Sequence, residues 1–230
     1  MSSPRRTGQV IGALIALQFF CGLTLPFVLL RPLTTGVPGF LTSAPENDPQ
    51  IRLAVFLSFL GAALTVAIAI AAWPLVSRLS PALALWFLVA CLVSFSMDAV
   101  HNVTVLSMLS LSQRYAETGG ADAGMLEAVG VWAASARRWA HFTQLLGFGG
   151  WIFLFYAILW RFALVPRVLA ILGVAGILLQ FAGVTLQGFL GRPLMTPLAM
   201  PLAPIQLAVA LWLMVRGFPE RHPPIPAAAN

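Results

Sequence analysis

Charged and amide side chains recur at helical spacing inside two otherwise apolar stretches. Asp98, His101 and Asn102 lie three and four residues apart in VSFSMDAVHNVT, so they share one face of a helix. The stretch RRWAHFTQ carries a second set of such residues, which is Arg137, Arg138, His141 and Gln144. A carboxyl group beside two imidazoles and a guanidinium can transfer protons, bind a small polar molecule or ligate a metal.

These two stretches stand at equal depth if their helices are antiparallel. His101 is 101 − 82 = 19 residues from the start of a span predicted over 82–111. His141 is 160 − 141 = 19 residues from the end of a span predicted over 139–160. At about 1.5 Å per residue, both histidines fall in one layer in the outer half of the membrane. We therefore predict one polar cluster, which consists of Asp98, His101, Asn102, His141 and Gln144, with Arg137 or Arg138 covering it from outside.

Three interpretations of this cluster are open. The first is a structural clasp of interhelical hydrogen bonds. The second is a pocket for a small molecule or a proton, in which Asp98 and His101 titrate. The third is a metal or haem site, for which Asp98, His101 and His141 are weak candidate ligands because no HExxH-like spacing accompanies them. A Ser–His–Asp hydrolase is excluded, since Ser94, Asp98 and His101 stand on one helix and cannot converge on one reacting atom.

The composition requires lipid around the elements that position this cluster. Of the 230 residues, 60% are hydrophobic and 9% are charged, against about 25% charged in a soluble domain. All 13 basic residues are arginines, scattered at the ends of apolar segments, so a nucleic-acid partner is not expected. The two cysteines, Cys21 and Cys91, lie in apolar runs and form neither a disulfide pattern nor a metal motif.

Hydropathy predicts an all-α polytopic bundle, because a spanning helix needs about 20 mostly apolar residues. Arg5 and Arg6 precede the first span, which is too long for the apolar core of a signal peptide and is interpreted as a retained helix. Pro201 and Pro204 predict a late start or a kink in the last span. The predicted single transmembrane domain, residues 1–216, has six spans near 8–30, 53–76, 82–111, 139–160, 166–190 and 198–215.

Polar loops are predicted over 31–50 and 113–127, and a disordered C-terminal tail over 217–230. If the N-terminus is cytoplasmic, the cytoplasmic side carries seven arginines and one acidic residue. The opposite side then carries six arginines and five acidic residues. This asymmetry predicts that both termini are cytoplasmic, in a multi-pass protein of the cell inner (cytoplasmic) membrane.

Several segments of the C-terminal half resemble a bacterial family of six-span membrane proteins known as domain of unknown function 4386. They are the His141 segment leading into GFGGWIFLFYAILWRF, then VPRVLAILGVAGILLQFAG, then APIQLAVALWLMVRGF. The N-terminal half fits the family in length and span order. Members often carry a Glu where this chain has Ile205–Gln206, so any role of that acid is absent here or taken by Gln206. The resemblance implies a fold and a membrane location, and no activity.

The sequence thus predicts a multi-pass integral membrane protein with an accessory or structural role. Its alternatives are a small-molecule or proton binder or transporter using Asp98 and His101, and a metal- or haem-dependent membrane enzyme. We expect no cofactor and favour a non-enzymatic role. The expected partners are the lipid bilayer and either another membrane protein or a second copy of the chain.

Gly8-x-x-x-Gly12 fits a site of close helix packing.

Overall fold

The computed structural model describes residues 3–24, 29–118 and 122–220. Within these residues the chain is helical and contains no strand, as the hydropathy predicts. A 3-10 turn at Arg31–Leu33 connects the first two helices. The helices are α1 (Pro4–Thr24), α2 (Gly39–Glu46), α3 (Asp48–Leu79), α4 (Pro81–Glu117), α5 (Ala123–Arg161), α6 (Arg167–Leu190), α7 (Met195–Ala199) and α8 (Leu202–Arg216).

Five of the described segments are long and apolar enough to cross a membrane. They are α3, α4, α5, α6 and the α7–α8 segment Met195–Arg216. This confirms the expectation of several helices suited to crossing a membrane. The predicted first span, 8–30, includes residues 25–28, which lie outside the described residues. The count of six spans therefore stays a prediction.

Short connections make neighbouring helices antiparallel. Ser80 alone separates α3 from α4, and its side chain accepts a hydrogen bond from the backbone N–H of Leu83 at 3.4 Å. Pro81 and Pro166 stand at helix starts, where a missing N–H costs nothing. One end of the bundle, here called the termini end, contains the N-terminus of α1, the C-terminus of α8 and the α3–α4 and α5–α6 connections.

Close packing of α1 against α8 brings the two described chain ends together. A Cβ atom at Gly8 would lie 2.4 Å from the backbone nitrogen of Phe218, and one at Gly12 would lie 2.7 Å from the carbonyl oxygen of Ala210. Only glycine permits this approach, so the Gly8-x-x-x-Gly12 motif is a helix contact as predicted. Gly217 and Phe218 are buried in this contact, where the sequence predicts the start of a disordered tail. The apolar Phe218 ring joins the core, and residues 221–230 lie outside the described residues.

Two predicted loops are wrong in part. The polar loop predicted over 31–50 contains a 3-10 turn, α2 and the first residues of α3. Residues 29–46 are here called the α2 cap. Their apolar side chains explain the order, because Leu33, Phe40 and Leu41 are at most 2% exposed and pack with Met108 and Leu109 of α4. Burial of these side chains stabilises the cap on the bundle.

The predicted loop over 113–127 is shorter than expected. Helix α4 continues to Glu117 and α5 begins at Ala123. Tyr115 donates a hydrogen bond to Glu127 Oε1 at 3.2 Å and so connects the two helix ends. By contrast, the break that Pro201 predicts is present, since α7 ends at Ala199 and α8 begins at Leu202.

Tight contacts between large aromatic residues and glycines fill the termini half of the bundle. Trp151 and Tyr156 of α5 are each 1% exposed. A Cβ atom at Gly173 of α6 would lie 2.1 Å from the Tyr156 ring, and one at Gly149 would lie 2.6 Å from the Phe181 ring. These glycines let α5 and α6 approach closely, as small residues do in membrane helix pairs.

Candidate functional site

Asp98 accepts hydrogen bonds from three helices near the middle of the bundle. Ser58 of α3 donates to its Oδ2 at 2.8 Å, and Asn102 of α4 donates to the same oxygen at 3.2 Å. Gln144 of α5 donates through Nε2 to Oδ1. Both oxygens of the carboxyl group are thus occupied by protein donors. The structure brings the two polar stretches together through the contact of Gln144 with Asp98.

A glycine allows α4 and α5 to come close enough for this contact. A Cβ atom at Gly147 would lie 3.4 Å from the Cα atom of Ser94 and 3.3 Å from Cγ of Met97. Gly147 follows Gln144 by three residues and Ser94 precedes Asp98 by four, so both belong to the same helix faces. Gly147 therefore lets α4 and α5 approach closely enough for Gln144 to reach Asp98.

The two histidines lie in contact beside Asp98. His141 Nδ1 is 3.2 Å from Gln144 Oε1, and the centroids of the His101 and His141 rings are 5.3 Å apart. His101 is 3% exposed, and neither of its ring nitrogens has a hydrogen-bond partner among the described residues. Such a group is costly unless something binds it, because a buried polar atom loses its water.

Arg137 and Arg138 differ in position although they are neighbours in sequence. Arg137 lies one helical turn before His141, on the same face of α5, and its Nε is buried with no partner among the described residues. Arg138 is exposed on the outside of the bundle. Of the two arginines predicted to cover the cluster, Arg137 is the one placed over it.

A cavity of about 520 Å³ opens between the helices next to these groups. Here it is called the polar cavity, and its lining comes from every spanning helix. Its apolar wall includes Phe19, Ala62, Leu145, Phe148 and Leu202. Its polar lining consists of Gln18, Thr34, Ser58, Thr65, Ser94, Asp98, His101, Arg137, His141, Gln144, Gln180 and Gln206. Asn102 is buried and touches the cluster through Asp98.

Several of these polar residues are missing from the predicted cluster. Ser58 of α3 supplies the closest donor to Asp98 Oδ2, and Gln18 of α1 donates to Thr65 of α3. Gln206 of α8 also lines the cavity. Gln18 and Gln206 each stand alone in an apolar run. An isolated amide in such a run is itself a signal of a side chain that faces the bundle.

The described residues do not support the metal or haem interpretation. No group of three or more His, Cys, Asp or Glu side chains among them could hold a metal ion. Asp98, His101 and His141 do not converge as such a group, and the carboxylate oxygens of Asp98 accept hydrogen bonds from Ser58, Asn102 and Gln144. The His101 and His141 rings are within direct aromatic contact, so they do not bracket a haem.

Comparison with known proteins assigns a family to the chain. A family model described as a domain of unknown function (DUF4386) matches residues 10–217. No curated protein and no solved structure matches the chain significantly. The match extends from the first turns of α1 to the end of α8 and includes every residue of the polar cavity. The chain is a member of the DUF4386 family.

Proposed function

We propose that this protein binds a small amphipathic molecule in the polar cavity, within the cytoplasmic membrane. The observation that carries the proposal is a cavity of about 520 Å³ whose wall includes His101, which is buried and has no hydrogen-bond partner among the described residues. Ligand sites typically measure about 300–1,000 Å³ and combine an apolar wall with a few placed polar groups. The polar cavity has both properties.

A purely structural clasp explains only part of the cluster. It accounts for Asp98, whose three hydrogen bonds join α3, α4 and α5. It does not account for His101 or for the buried Nε of Arg137, which hold nothing together. In a bundle selected for stability alone, apolar side chains would replace these groups and fill the space beside them.

Asp98 therefore acts as a positioning residue in this proposal. Its hydrogen bond from Gln144 fixes that amide, and Gln144 Oε1 in turn lies 3.2 Å from His141 Nδ1. The groups left to contact a ligand are His101, His141 and Arg137. This changes the predicted titrating pair, since His101 remains a contact residue while Asp98 supports the wall.

We also propose six spans with both termini in the cytoplasm. The contact between Gly8 and Phe218 puts the two described ends of the chain at one end of the bundle. The predicted connections and chain ends on that side carry the larger excess of arginine over acidic residues, which favours a cytoplasmic location for that side. The cavity then lies nearer the opposite face of the membrane.

Co-purification tests whether the cavity holds a ligand. Protein purified in a mild detergent is examined by native mass spectrometry, and bound small molecules are extracted and weighed. We expect a bound molecule on the natural protein and its loss in Ala62→Trp, because Ala62 lines the cavity. Ala63→Trp is the matched control, since Ala63 is the next residue and is exposed on the outside of α3.

The result is decisive when the two variants are compared. Equal amounts of the same molecules on the natural protein, Ala62→Trp and Ala63→Trp would contradict binding in the cavity. If the natural protein is purified without a bound molecule, it and both variants are titrated with dodecanoate and dodecanol. If neither binds more weakly to Ala62→Trp than to Ala63→Trp, the proposal is wrong.

A further inference from the structure

We infer that the ligand is a single-chain amphiphile with one anionic head group, a carboxylate or a phosphate monoester, bound by Arg137 and the two histidines. This inference rests on the proposed function and names its ligand class. Arg137, His101 and His141 belong to the lining of the polar cavity. The remaining wall beside them is largely apolar, which suits a hydrocarbon chain.

The charge of Arg137 has no ion-pair partner in the described parts of the chain. The ion pairs there are Arg52–Asp48 and Arg114–Glu117, and Arg137 belongs to neither. Its Nε is buried and has no hydrogen-bond partner in those parts. A partly buried cation needs an opposite charge or several acceptors, and guanidinium binds carboxylate and phosphate with paired hydrogen bonds. An oxyanion from the ligand satisfies this requirement.

Asp98 does not pair with Arg137 in the described structure. It is the one acidic residue in the described lining of the cavity, and its two oxygens already accept hydrogen bonds from Ser58, Asn102 and Gln144. It forms no ion pair with Arg137 within 4.0 Å in the described structure. Arg137 is therefore left without a carboxylate in contact on its side of the cavity, among the described residues.

His101 supplies the second contact. A neutral imidazole carries one N–H donor and one acceptor, and neither nitrogen of His101 has a partner within the described ranges of the chain. Its ring touches that of His141, which stands one turn after Arg137. A head group bound to Arg137 can thus accept a hydrogen bond from His101 as well.

The other polar end of the cavity offers an anion neutral amide and hydroxyl groups but no cation among the described lining residues. Gln18 Nε2 donates to Gly61 O and to Thr65 Oγ1, and Gln180 Nε2 donates to Leu145 O at 3.4 Å. These amide donors are engaged within the protein. The head group consequently belongs at Arg137, and the chain extends along the α5 face through Leu145 to Phe148.

The size of the cavity limits the ligand to one chain. A volume of about 520 Å³ holds roughly 17 groups of the size of water, taking about 30 Å³ for each. Arg137 and Phe148 are 148 − 137 = 11 residues apart, or about 16 Å along the helix. A medium-length acyl chain fits these dimensions, whereas the second chain of a phospholipid would have to lie outside the cavity.

Protection of a cysteine measures the binding of chosen probes. Cys21 lines the polar cavity, whereas Cys91 lies in the packed core and is 0% exposed. In phosphatidylcholine nanodiscs, the Cys91→Ala protein is labelled with N-ethylmaleimide while one of four probes is added. The probes are dodecanoate, dodecyl phosphate, dodecanol and dodecylamine, compared at equal concentrations in the bilayer. The Cys21→Ala protein gives the background.

We expect the two anionic probes to slow the labelling of Cys21 and to bind about tenfold or more tightly than dodecanol and dodecylamine. The tighter of the two anions identifies the head group. Equal protection by all four probes would overturn the anionic head group and leave binding in the cavity intact. Protection by none of them would count against the proposed function itself.

Variants of the adjacent arginines assign the head-group site. Arg137→Gln should weaken binding of the anionic probes by about tenfold or more, and Arg137→Lys should restore part of it. Arg138→Gln is the control, with the same change of charge one residue away on an exposed position, and should leave binding unchanged. If Arg137→Gln and Arg138→Gln weaken binding equally, the anion is attracted by the general surface charge and the inferred site is wrong.

Discussion

The inward face of α4 passes through two different regions of the molecule. Near the termini end it presents Ala84, Phe87 and Cys91, each at most 2% exposed and packed in the core with Trp151 and Phe155. One turn further it presents Ser94, Asp98 and His101, which line the polar cavity. The same helices are thus closely packed in one region and separated by a space in the other.

This difference shows that the space is not a general failure of packing. In the packed region, glycines such as Gly173 have no side chain and so let the helices approach closely. In the cavity region, small residues also stand at the interfaces, and Gly147 brings α4 close to α5. The space remains because the side chains beside it are short or polar, which is expected of a binding site and not of a core.

The largest effect is expected in the packed region. Gly173→Ala places a Cβ atom 2.1 Å from the Tyr156 ring, and the overpacking should lower the free energy of unfolding by about 3 kcal/mol. Gly150→Ala is the control, since nothing lies within 4 Å of its added Cβ and alanine favours a helix. Unfolding in mixed detergent and dodecyl sulfate micelles measures both. Similar stability of the two variants would mean that α5 and α6 are not closely packed.

A smaller loss is expected at the junction of the two regions. Asp98→Leu leaves the donors of Ser58, Asn102 and Gln144 without an acceptor. Interhelical hydrogen bonds in membranes contribute about 0.6 kcal/mol each, so we expect a loss of roughly 2 kcal/mol in the same micelle experiment. Asp98→Asn retains one acceptor oxygen and should lose less. A stability of Asp98→Leu equal to that of the natural protein would show that the three bonds hold nothing together.

The same substitution in both regions sharpens the comparison. Ala170 is 0% exposed in the packed core, whereas Ala62 lines the cavity. Ala170→Leu should destabilise the protein by about 1 kcal/mol or more through overpacking, while Ala62→Leu has space and should change stability little. Thermal unfolding in detergent compares the pair directly. An equal loss at the two positions would indicate that the space is filled by protein.

Much of the fold was predictable because hydrophobic length decides it. Five of the predicted spans fall on membrane-length helical segments, and the break at Pro201 follows from proline's missing N–H. The α2 cap was missed for a physical reason. Phe40 and Leu41 gain stability only by packing on Met108 and Leu109, and such contacts between distant segments leave no periodic pattern in the loop itself.

The site was predictable only along single helices. The spacing of Asp98, His101 and Asn102, and the equal depth of His141, follow from helix geometry. The partner Ser58 did not, because which face of α3 meets α4 depends on packing. The choice between Arg137 and Arg138 also required the structure, since adjacent residues differ by about 100° around a helix.

The smallest change in stability is expected at His101, and it separates the two roles of the cluster. Both ring nitrogens of His101 are buried and lack partners among the residues that the structure describes, so His101→Leu removes none of the side-chain hydrogen bonds described and relieves a desolvated polar group. The free energy of unfolding of this variant should lie within about 0.5 kcal/mol of that of the natural protein or be higher. If the histidine is retained for a ligand, the same variant should lose the protection of Cys21 by dodecanoate. If His101→Leu loses stability but keeps the protection of Cys21, His101 is a structural residue and not a ligand contact. Its ring nitrogens would then form hydrogen bonds that stabilise the fold and that the described structure does not contain.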